Sequence, residues 1–200
     1  MDKELFMFYK AALEGELTAP LCSEYKSAWR KCGDDKEQLV RLVMRQQALP
    51  YFVHYCYNGK GVTKEYIMDA FGDYINGKYY GLNVDGVDGD YKTEIYVGDK
   101  GILSPSANVL CAMWCNPITF EIRPAKSPFL YIACGSDVHI SCLGYNSPRI
   151  YLFDESKVTL DDVDMESSVT VFKYSDGCVV EKGDFCISEN IKEYRKELRL

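Results

Sequence analysis

Three acidic residues are separated by multiples of twenty residues: Glu121, Asp161 and Glu181. If the chain winds with a twenty-residue period, Asp161 and Glu181 lie on neighbouring strands whose backbones are about 4.8 Å apart. Two carboxylates at that separation could serve as the nucleophile and the acid–base residue of a retaining glycosidase. The three residues are therefore candidates for a catalytic site. The alternative is that the outward strand positions of such a fold are simply polar.

Other residues that could do chemistry form weaker patterns. The corner after Asp161 carries three further carboxylates that could hold a cation: Asp162, Asp164 and Glu166. Residues 83–90 are rich in aspartate and glycine, yet their spacing matches neither the EF-hand nor the nonapeptide calcium repeat. The two histidines, His54 and His139, lie near cysteines, but no cysteines have the spacing of a zinc site. We predict no metal and no cofactor.

The charge is acidic and unevenly distributed. The chain of 200 residues is 47% hydrophobic and 26% charged, with a formal net charge of −7. Residues 1–78 carry eleven basic and eleven acidic side chains, whereas residues 79–187 carry eight basic and sixteen acidic ones, a net of −8. A neutral part followed by an acidic part is a poor electrostatic surface for nucleic acid. We therefore predict no nucleic-acid partner.

Composition also predicts where the protein resides. No run of eighteen uninterrupted apolar residues occurs, which predicts that no helix spans a membrane. The opening residues Met1-Asp2-Lys3 lack the basic-then-apolar order of a secretory signal. Nine cysteines are an odd number spread over the chain, which is typical of reduced thiols and not of a disulfide framework. These features predict a cytoplasmic protein.

The first 78 residues have the pattern of helices. Apolar residues recur there at helical intervals: Phe6, Tyr9, Leu13 and Leu17, then Tyr25, Trp29 and Cys32. Asp34-Asp35 supplies an N-cap for a following segment, Pro50 should break or kink it, and Thr63 opens a last helix. These signals predict a small bundle of about four helices.

A twenty-residue repeat begins near residue 110. Fifteen of sixteen positions in four columns are apolar, where a 47% hydrophobic composition predicts between seven and eight. The columns are Leu110, Leu130, Ile150 and Thr170; Ala112, Ile132, Leu152 and Phe172; Ile118, Val138, Val158 and Cys178; and Phe120, Ile140, Leu160 and Val180. Alternating strands with corners at a fixed period predict a parallel β-solenoid, a right-handed β-helix of about four coils. A β-sandwich or a barrel is the alternative.

The whole chain is thus predicted to be an α+β protein with four parts. They are a helical bundle over 1–78, a glycine-rich connector with a partial coil over 79–104, the solenoid over 105–187 and a capping helix over 188–200. Ile191, Tyr194 and Leu198 would form one face of that last helix. It would cover the exposed backbone edge of the last coil.

Apolar residues also occupy an outward column of the repeat. We name four of them as a candidate binding face: Met113, Tyr131, Tyr151 and Phe153. A solenoid side with apolar residues on both faces of its strands must be covered by something. The cover is either the protein's own helical bundle or a partner surface.

The pairing of a helical N-terminal region with a compact β-helix resembles a set of uncharacterised proteins from Bacteroidetes genomes and their phages or mobile elements. The resemblance rests on the segment 71–77, on Leu103-Ser104-Pro105 and on the coils from Asn108 to Gly183. In coil length the solenoid is also similar to the bactofilins. The resemblance implies a phage or mobile-element origin and carries over no catalytic residues.

These observations favour a non-enzymatic β-solenoid that acts as a binding or scaffolding module. Its partner would be another protein or a glycan, since long stacked faces suit extended ligands. The alternative is a carbohydrate-active enzyme, a glycoside hydrolase or lyase, that uses Glu121, Asp161 and Glu181. The sequence leaves the oligomeric state open.

Overall fold

The computed structural model describes residues 10, 14, 22–45, 48–57, 63–75, 79–81, 92–162, 167–183 and 191–193. Among the described residues of the N-terminal part there are four helices, as predicted: α1 Ser23–Lys31, α2 Lys36–Val43, α3 Leu49–Tyr57 and α4 Lys64–Phe71, followed by a short 3-10 helix, Gly72–Tyr74. Two of the sequence signals act as expected, because Asp35 caps α2 by accepting from the Gln38 N–H and Thr63 caps α4 by accepting from the Tyr66 N–H. None of the described helices is long and apolar enough to cross a membrane.

The predicted apolar face of Phe6, Tyr9, Leu13 and Leu17 lies outside the described residues. Two residues of that segment are described; one contacts the last turn of α1 and the other contacts the turn that follows it. Lys10 Nζ donates to the Gly33 carbonyl over 2.6 Å, and Arg30 Nε donates to Glu14 Oε1 over 2.5 Å.

Twelve strands follow among the described residues. They are β1 Tyr79–Gly81, β2 Lys92–Val97, β3 Gly101–Leu103, β4 Val109–Met113, β5 Ile118–Ile122, β6 Phe129–Ala133, β7 Asp137–Cys142, β8 Arg149–Leu152, β9 Lys157–Asp162, β10 Thr170–Lys173, β11 Val179–Lys182 and β12 Ile191–Glu193.

The strands form two sheets that the chain visits in turn. One sheet has seven strands in the order β1-β2-β4-β6-β8-β10-β12, and the other has five in the order β3-β5-β7-β9-β11. Every pairing is parallel except that of β1 with β2. This is a β-solenoid of about four turns, so the predicted α+β fold with a parallel solenoid is confirmed.

The inward faces of the two sheets pack on each other. Leu110, Leu130 and Ile150 are in register across the seven-stranded sheet, and Phe120 and Ile140 occupy the equivalent place in the five-stranded sheet. All five side chains are buried in one apolar cluster. Burial of a Leu, Ile or Phe side chain contributes about 1.5–3 kcal/mol, so these stacked columns stabilise the solenoid substantially.

The register shifts in the last turn. Val171, not Thr170, pairs with Ile150, and Val180, not Cys178, pairs with Val158. In the last turn the predicted column of Ile150 is therefore wrong by one residue, and that of Val158 is wrong by two. The physical reason is burial: Thr170 was the one polar member of its column, and the shift puts the fully buried Val171 in its inward place.

The C-terminal helix predicted over 188–200 is wrong where the structure describes that segment. Ile191–Glu193 form β12, which pairs in parallel with β10 through Val171 and Ile191. The edge of the seven-stranded sheet is thus extended by a strand, whose backbone groups satisfy those of β10. The rest of 188–200 lies outside the described residues.

The helices cover the outer face of the seven-stranded sheet. Trp29, Leu39 and Phe52 of the helices belong to one buried cluster together with Met113 and Phe153 of the solenoid. Thr93 of β2 adds a polar tie, because its Oγ1 donates to the Met44 carbonyl over 3.1 Å. The helical bundle therefore packs on a side of the solenoid.

Candidate functional site on the five-stranded sheet

The outer face of the five-stranded sheet carries the acidic residues that were predicted from the sequence as catalytic candidates. Two rows cross its strands in register: Thr119, His139, Thr159 and Glu181 in one, and Glu121, Ser141 and Asp161 in the other. Their strand neighbours point inward and are apolar, which is why the rows face outward. All seven side chains are half-buried or exposed.

Asp161 and Glu181 are not strand neighbours. Glu181 pairs with Thr159, and Gly183 takes the place beside Asp161, with its N–H donating to the Leu160 carbonyl over 2.8 Å. The carboxylate pair predicted from the twenty-residue period is therefore wrong in its register. The cause is the shift in the last turn, which moves each residue of β11 by two positions.

Glu181 forms an ion pair with Lys157 instead. The Nζ of Lys157 lies 2.8 Å from Glu181 Oε2, and this hydrogen bond raises the pKa of Lys157. The pair is solvent-exposed, so it adds little to stability. Glu181 is thereby engaged by a cation and not by a second carboxylate.

Glu121 is two strands away from Asp161, a backbone separation of about 10 Å. Ser141 lies between them in the row. Glu121 Oε2 accepts a hydrogen bond from Ser104 Oγ over 2.7 Å. Glu121 is therefore paired with a serine and with neither of the other two candidate carboxylates.

Asp161 is held by a histidine. His139 Nε2 lies 2.5 Å from Asp161 Oδ2, and the two side chains are 39% and 16% exposed. Asp161 Oδ1 is buried without a hydrogen-bond partner, next to Gly183, where a Cβ atom would overlap the carboxylate. A carboxylate can orient an imidazole as a general base, but within the described chain His139 makes no hydrogen bond to a hydroxyl or thiol.

The His139–Asp161 contact was missed from the sequence. His139 drew notice only through its neighbour Cys142, yet Cys142 is buried on the inward face while His139 faces outward. The sequence feature that could have predicted the contact is the separation of 22 residues between His139 and Asp161. It equals one coil of twenty residues plus two, and residues two apart on a strand lie on the same face.

The candidate binding face lies under the helices. Met113 is fully buried, Phe153 is 1% exposed and Tyr131 is 6% exposed, whereas Tyr151 is half-buried. Of the two covers that the sequence left open, the protein's own helices are the one observed over the first three residues. The protein's own helices supply the cover that an apolar outer face requires.

The aromatic rings on that face stack on one another. Tyr131 and Tyr151 have ring centroids 4.9 Å apart, and Tyr151 and Phe172 have centroids 5.1 Å apart, with nearly parallel planes in both pairs. Burial raises the pKa of Tyr131. Stacked rings turn their faces toward each other, so this ladder serves packing along the solenoid axis.

Metal and thiol chemistry find no support among the described residues. They contain no group of three or more His, Cys, Asp or Glu side chains that could hold a metal ion. Residues 83–90, Asp164 and Glu166 lie outside the described residues, as does the side chain of Asp162. All eight described cysteines are free. Burial raises the pKa of Cys56 and Cys111, which keeps these thiols neutral.

Comparison with protein families, with curated proteins and with solved structures finds no match for this chain. Its function must therefore be argued from the site.

Proposed function

We propose that this chain is a non-enzymatic binding or scaffolding module that uses the outer face of the five-stranded sheet. The observation that carries the proposal is the difference between the two solenoid sides. The outer face of the seven-stranded sheet is covered by helices, whereas the rows on the five-stranded sheet are half-buried or exposed. A rigid array of polar side chains repeated at the strand spacing of about 4.8 Å suits an extended partner.

The chemistry of this face favours a basic protein segment as the partner. Its outward strand positions carry four carboxylates, Glu121, Asp137, Asp161 and Glu181, and one lysine, Lys157, a net charge of −3. Opposite charges across an interface speed association and select the partner. Apart from the His139 imidazole, these positions offer no aromatic ring for a sugar to stack on. A protein is therefore preferred over a glycan.

The alternative is a carbohydrate-active enzyme that uses the same carboxylates. The register of β11 weakens it, because Glu181 faces Lys157 and Asp161 faces His139. The cytoplasmic location and the phage or mobile-element origin belong to the proposal as well, supported by the composition and the resemblance.

A matched pair of variants tests the proposal. Thr159→Arg places a bulky positive side chain in the middle of the polar rows, whereas Tyr145→Arg places the same side chain at a 63% exposed position off that face. A partner captured by cross-linking in host extract should be retained by Tyr145→Arg and lost by Thr159→Arg. Equal capture by both variants would refute the proposal.

A glycan panel tests the enzyme alternative. We expect no turnover of any polysaccharide by the unmodified chain. Hydrolysis that disappears in Asp161→Asn, with the variant still folded by circular dichroism, would replace the binding module with the enzyme.

A further inference from the structure

A cleft of about 430 Å³ lies between the helices and one flank of the solenoid. Tyr57 and Lys64 line it from the helices, and Trp114, Cys134 and Asp154 line it from the solenoid. We propose that this cleft binds a short peptide with free termini, its carboxylate toward Lys64 and its ammonium group toward Asp154. The site shares no residue with the five-stranded face, so either proposal can fail alone.

The solenoid wall of the cleft is a single column of the repeat. Trp114, Cys134 and Asp154 follow one another at twenty-residue intervals, and each has a left-handed backbone with φ of 54°, 59° and 51°. A left-handed conformation costs a non-glycine residue roughly 1–2 kcal/mol. Gly98 takes the equivalent place in the first turn, next to Trp114, with φ of 65°. The three later turns thus present side chains where glycine would relieve the strain.

The column sets the length of the site. Gly98, Trp114, Cys134 and Asp154 occupy four successive turns, so three strand spacings separate the ends, about 14 Å. A peptide spans 3.3–3.6 Å per residue when extended, so three or four residues cover roughly 10–14 Å. The cavity volume of about 430 Å³ falls within the roughly 300–1,000 Å³ that is usual for ligand sites.

A cation marks one end of the cleft. The end of the Lys64 side chain lies directly over Gly98, where any Cβ atom would overlap its Cε and Nζ. Thr63 and Glu65 flank it at the start of α4, and both are exposed. The Lys64 ammonium makes no ion pair within the described chain, so it is available to a ligand carboxylate.

A fixed carboxylate marks the other end. Asp154 Oδ1 accepts hydrogen bonds from the Gly135 N–H over 3.2 Å and from Ser156 Oγ over 2.8 Å. Its second oxygen, Oδ2, has no hydrogen bond to any described residue. This oriented oxygen can accept from a ligand ammonium group, an interaction stronger than a neutral hydrogen bond.

The middle of the cleft is apolar and uncharged. Trp114 and Tyr57 are half-buried and offer aromatic surface. Burial raises the pKa of Tyr57 to about 12, and Asp154 adds to the shift, while the Tyr57 hydroxyl contacts His54 Nδ1 over 2.5 Å. Burial also raises the pKa of Cys134, so its thiol stays neutral. An apolar central side chain of the peptide fits these walls.

Tryptophan fluorescence reports on this cleft. The chain has two tryptophans, and Trp29 is 2% exposed within the helical core, so Trp29→Phe leaves Trp114 as the single tryptophan, whose emission is read with excitation selective for indole. The probes are the tripeptide leucyl-phenylalanyl-leucine, its N-acetylated form and its C-amidated form. We expect a saturable change with the free tripeptide and about tenfold weaker binding of each blocked form. Calorimetry with the unmodified chain repeats the measurement without the Trp29 substitution.

Charge variants assign the two ends. Asp154→Asn should weaken the free tripeptide about tenfold and abolish its advantage over the N-acetylated form. Lys64→Met should do the same for the C-amidated form. Glu155→Gln and Lys100→Met, which make the same charge changes at exposed positions outside the cleft, should change nothing. No saturable signal up to millimolar tripeptide with folded protein, or an unchanged preference in Asp154→Asn, would overturn the proposal.

Discussion

His139 Nε2 of β7 lies 2.5 Å from Asp161 Oδ2 of the neighbouring strand β9. Asp161 stands two residues after Thr159, the residue that pairs with His139. The contact links β7 to β9 on the outer face of the five-stranded sheet. It also accounts for one oxygen of a carboxylate whose other oxygen is buried without a partner. Asp161 thus depends on His139 for its only side-chain hydrogen bond among the described residues.

Removal of the imidazole should destabilise the protein. His139→Ala leaves the half-buried Asp161 carboxylate without a side-chain partner, and we expect a loss of about 1 kcal/mol in the free energy of unfolding. Thr119→Ala, in the same row on the neighbouring strand, should cost less than about 0.5 kcal/mol. Urea unfolding followed by circular dichroism measures both variants. Equal losses would show that the His139–Asp161 contact adds no stability.

A double-mutant cycle tests how closely Gly183 approaches Asp161. A Cβ atom at Gly183 would overlap the Asp161 carboxylate and push it from His139, so Gly183→Ala should cost about 1–2 kcal/mol in the unmodified chain. In an Asp161→Ala background the same substitution meets no carboxylate and should be nearly neutral. A cost that persists in that background would contradict the register of β11 against β9.

The first three turns of the solenoid were predictable from the sequence. Leu110, Leu130 and Ile150 form an inward column as the twenty-residue period predicts, because a strand places alternate residues on one face. The last turn was not predictable, since a fixed period ignores added corner residues. The apolar Val171, next to the polar Thr170 in the sequence, was the local sign of the shift.

The site was predicted less well than the fold. A period identifies outward positions, but it does not say which element covers them, and Met113 and Phe153 proved to be buried under helices. The carboxylate pair failed because a shift of two residues along β11 replaced Asp161 by Thr159 as the neighbour of Glu181. Contacts that depend on register require the structure.

Truncation of a single solenoid residue that the helices cover, Phe153, should lower the free energy of unfolding by several kcal/mol. Phe153 is 1% exposed and its ring lies 5.7 Å from that of Tyr57 in α3 and 4.8 Å from that of Tyr174. Phe153→Ala should lower the free energy of unfolding by about 3 kcal/mol. Tyr145→Ala, at a 63% exposed position, should change it by less than about 0.5 kcal/mol. Similar values for the two in urea unfolding would mean that the helices do not cover Phe153.

Alkaline pH should destabilise the fold through its buried thiols. Burial raises the pKa of Cys115 from 9.0 to about 11, and it raises the pKa of Cys56 and Cys111 well above 9.0. In each case the folded state holds a proton that the unfolded chain releases above pH 9. The stabilisation is therefore complete below pH 9 and is lost as the pH rises toward the folded-state pKa.

The slope of the free energy of unfolding against pH distinguishes thiol ionisation from other effects of alkaline pH. Each such group removes up to about 1.4 kcal/mol per pH unit once its unfolded form is ionised. Urea unfolding at pH 8, 9.5 and 10.5 should show the midpoint falling, with a shallower fall in Cys111→Ala. Val109→Ala truncates the buried cluster that contains Cys111 without a titratable group, so it should lower stability at every pH and leave the pH slope unchanged. A slope that Cys111→Ala leaves as steep as in the unmodified chain would mean that Cys111 does not titrate with unfolding.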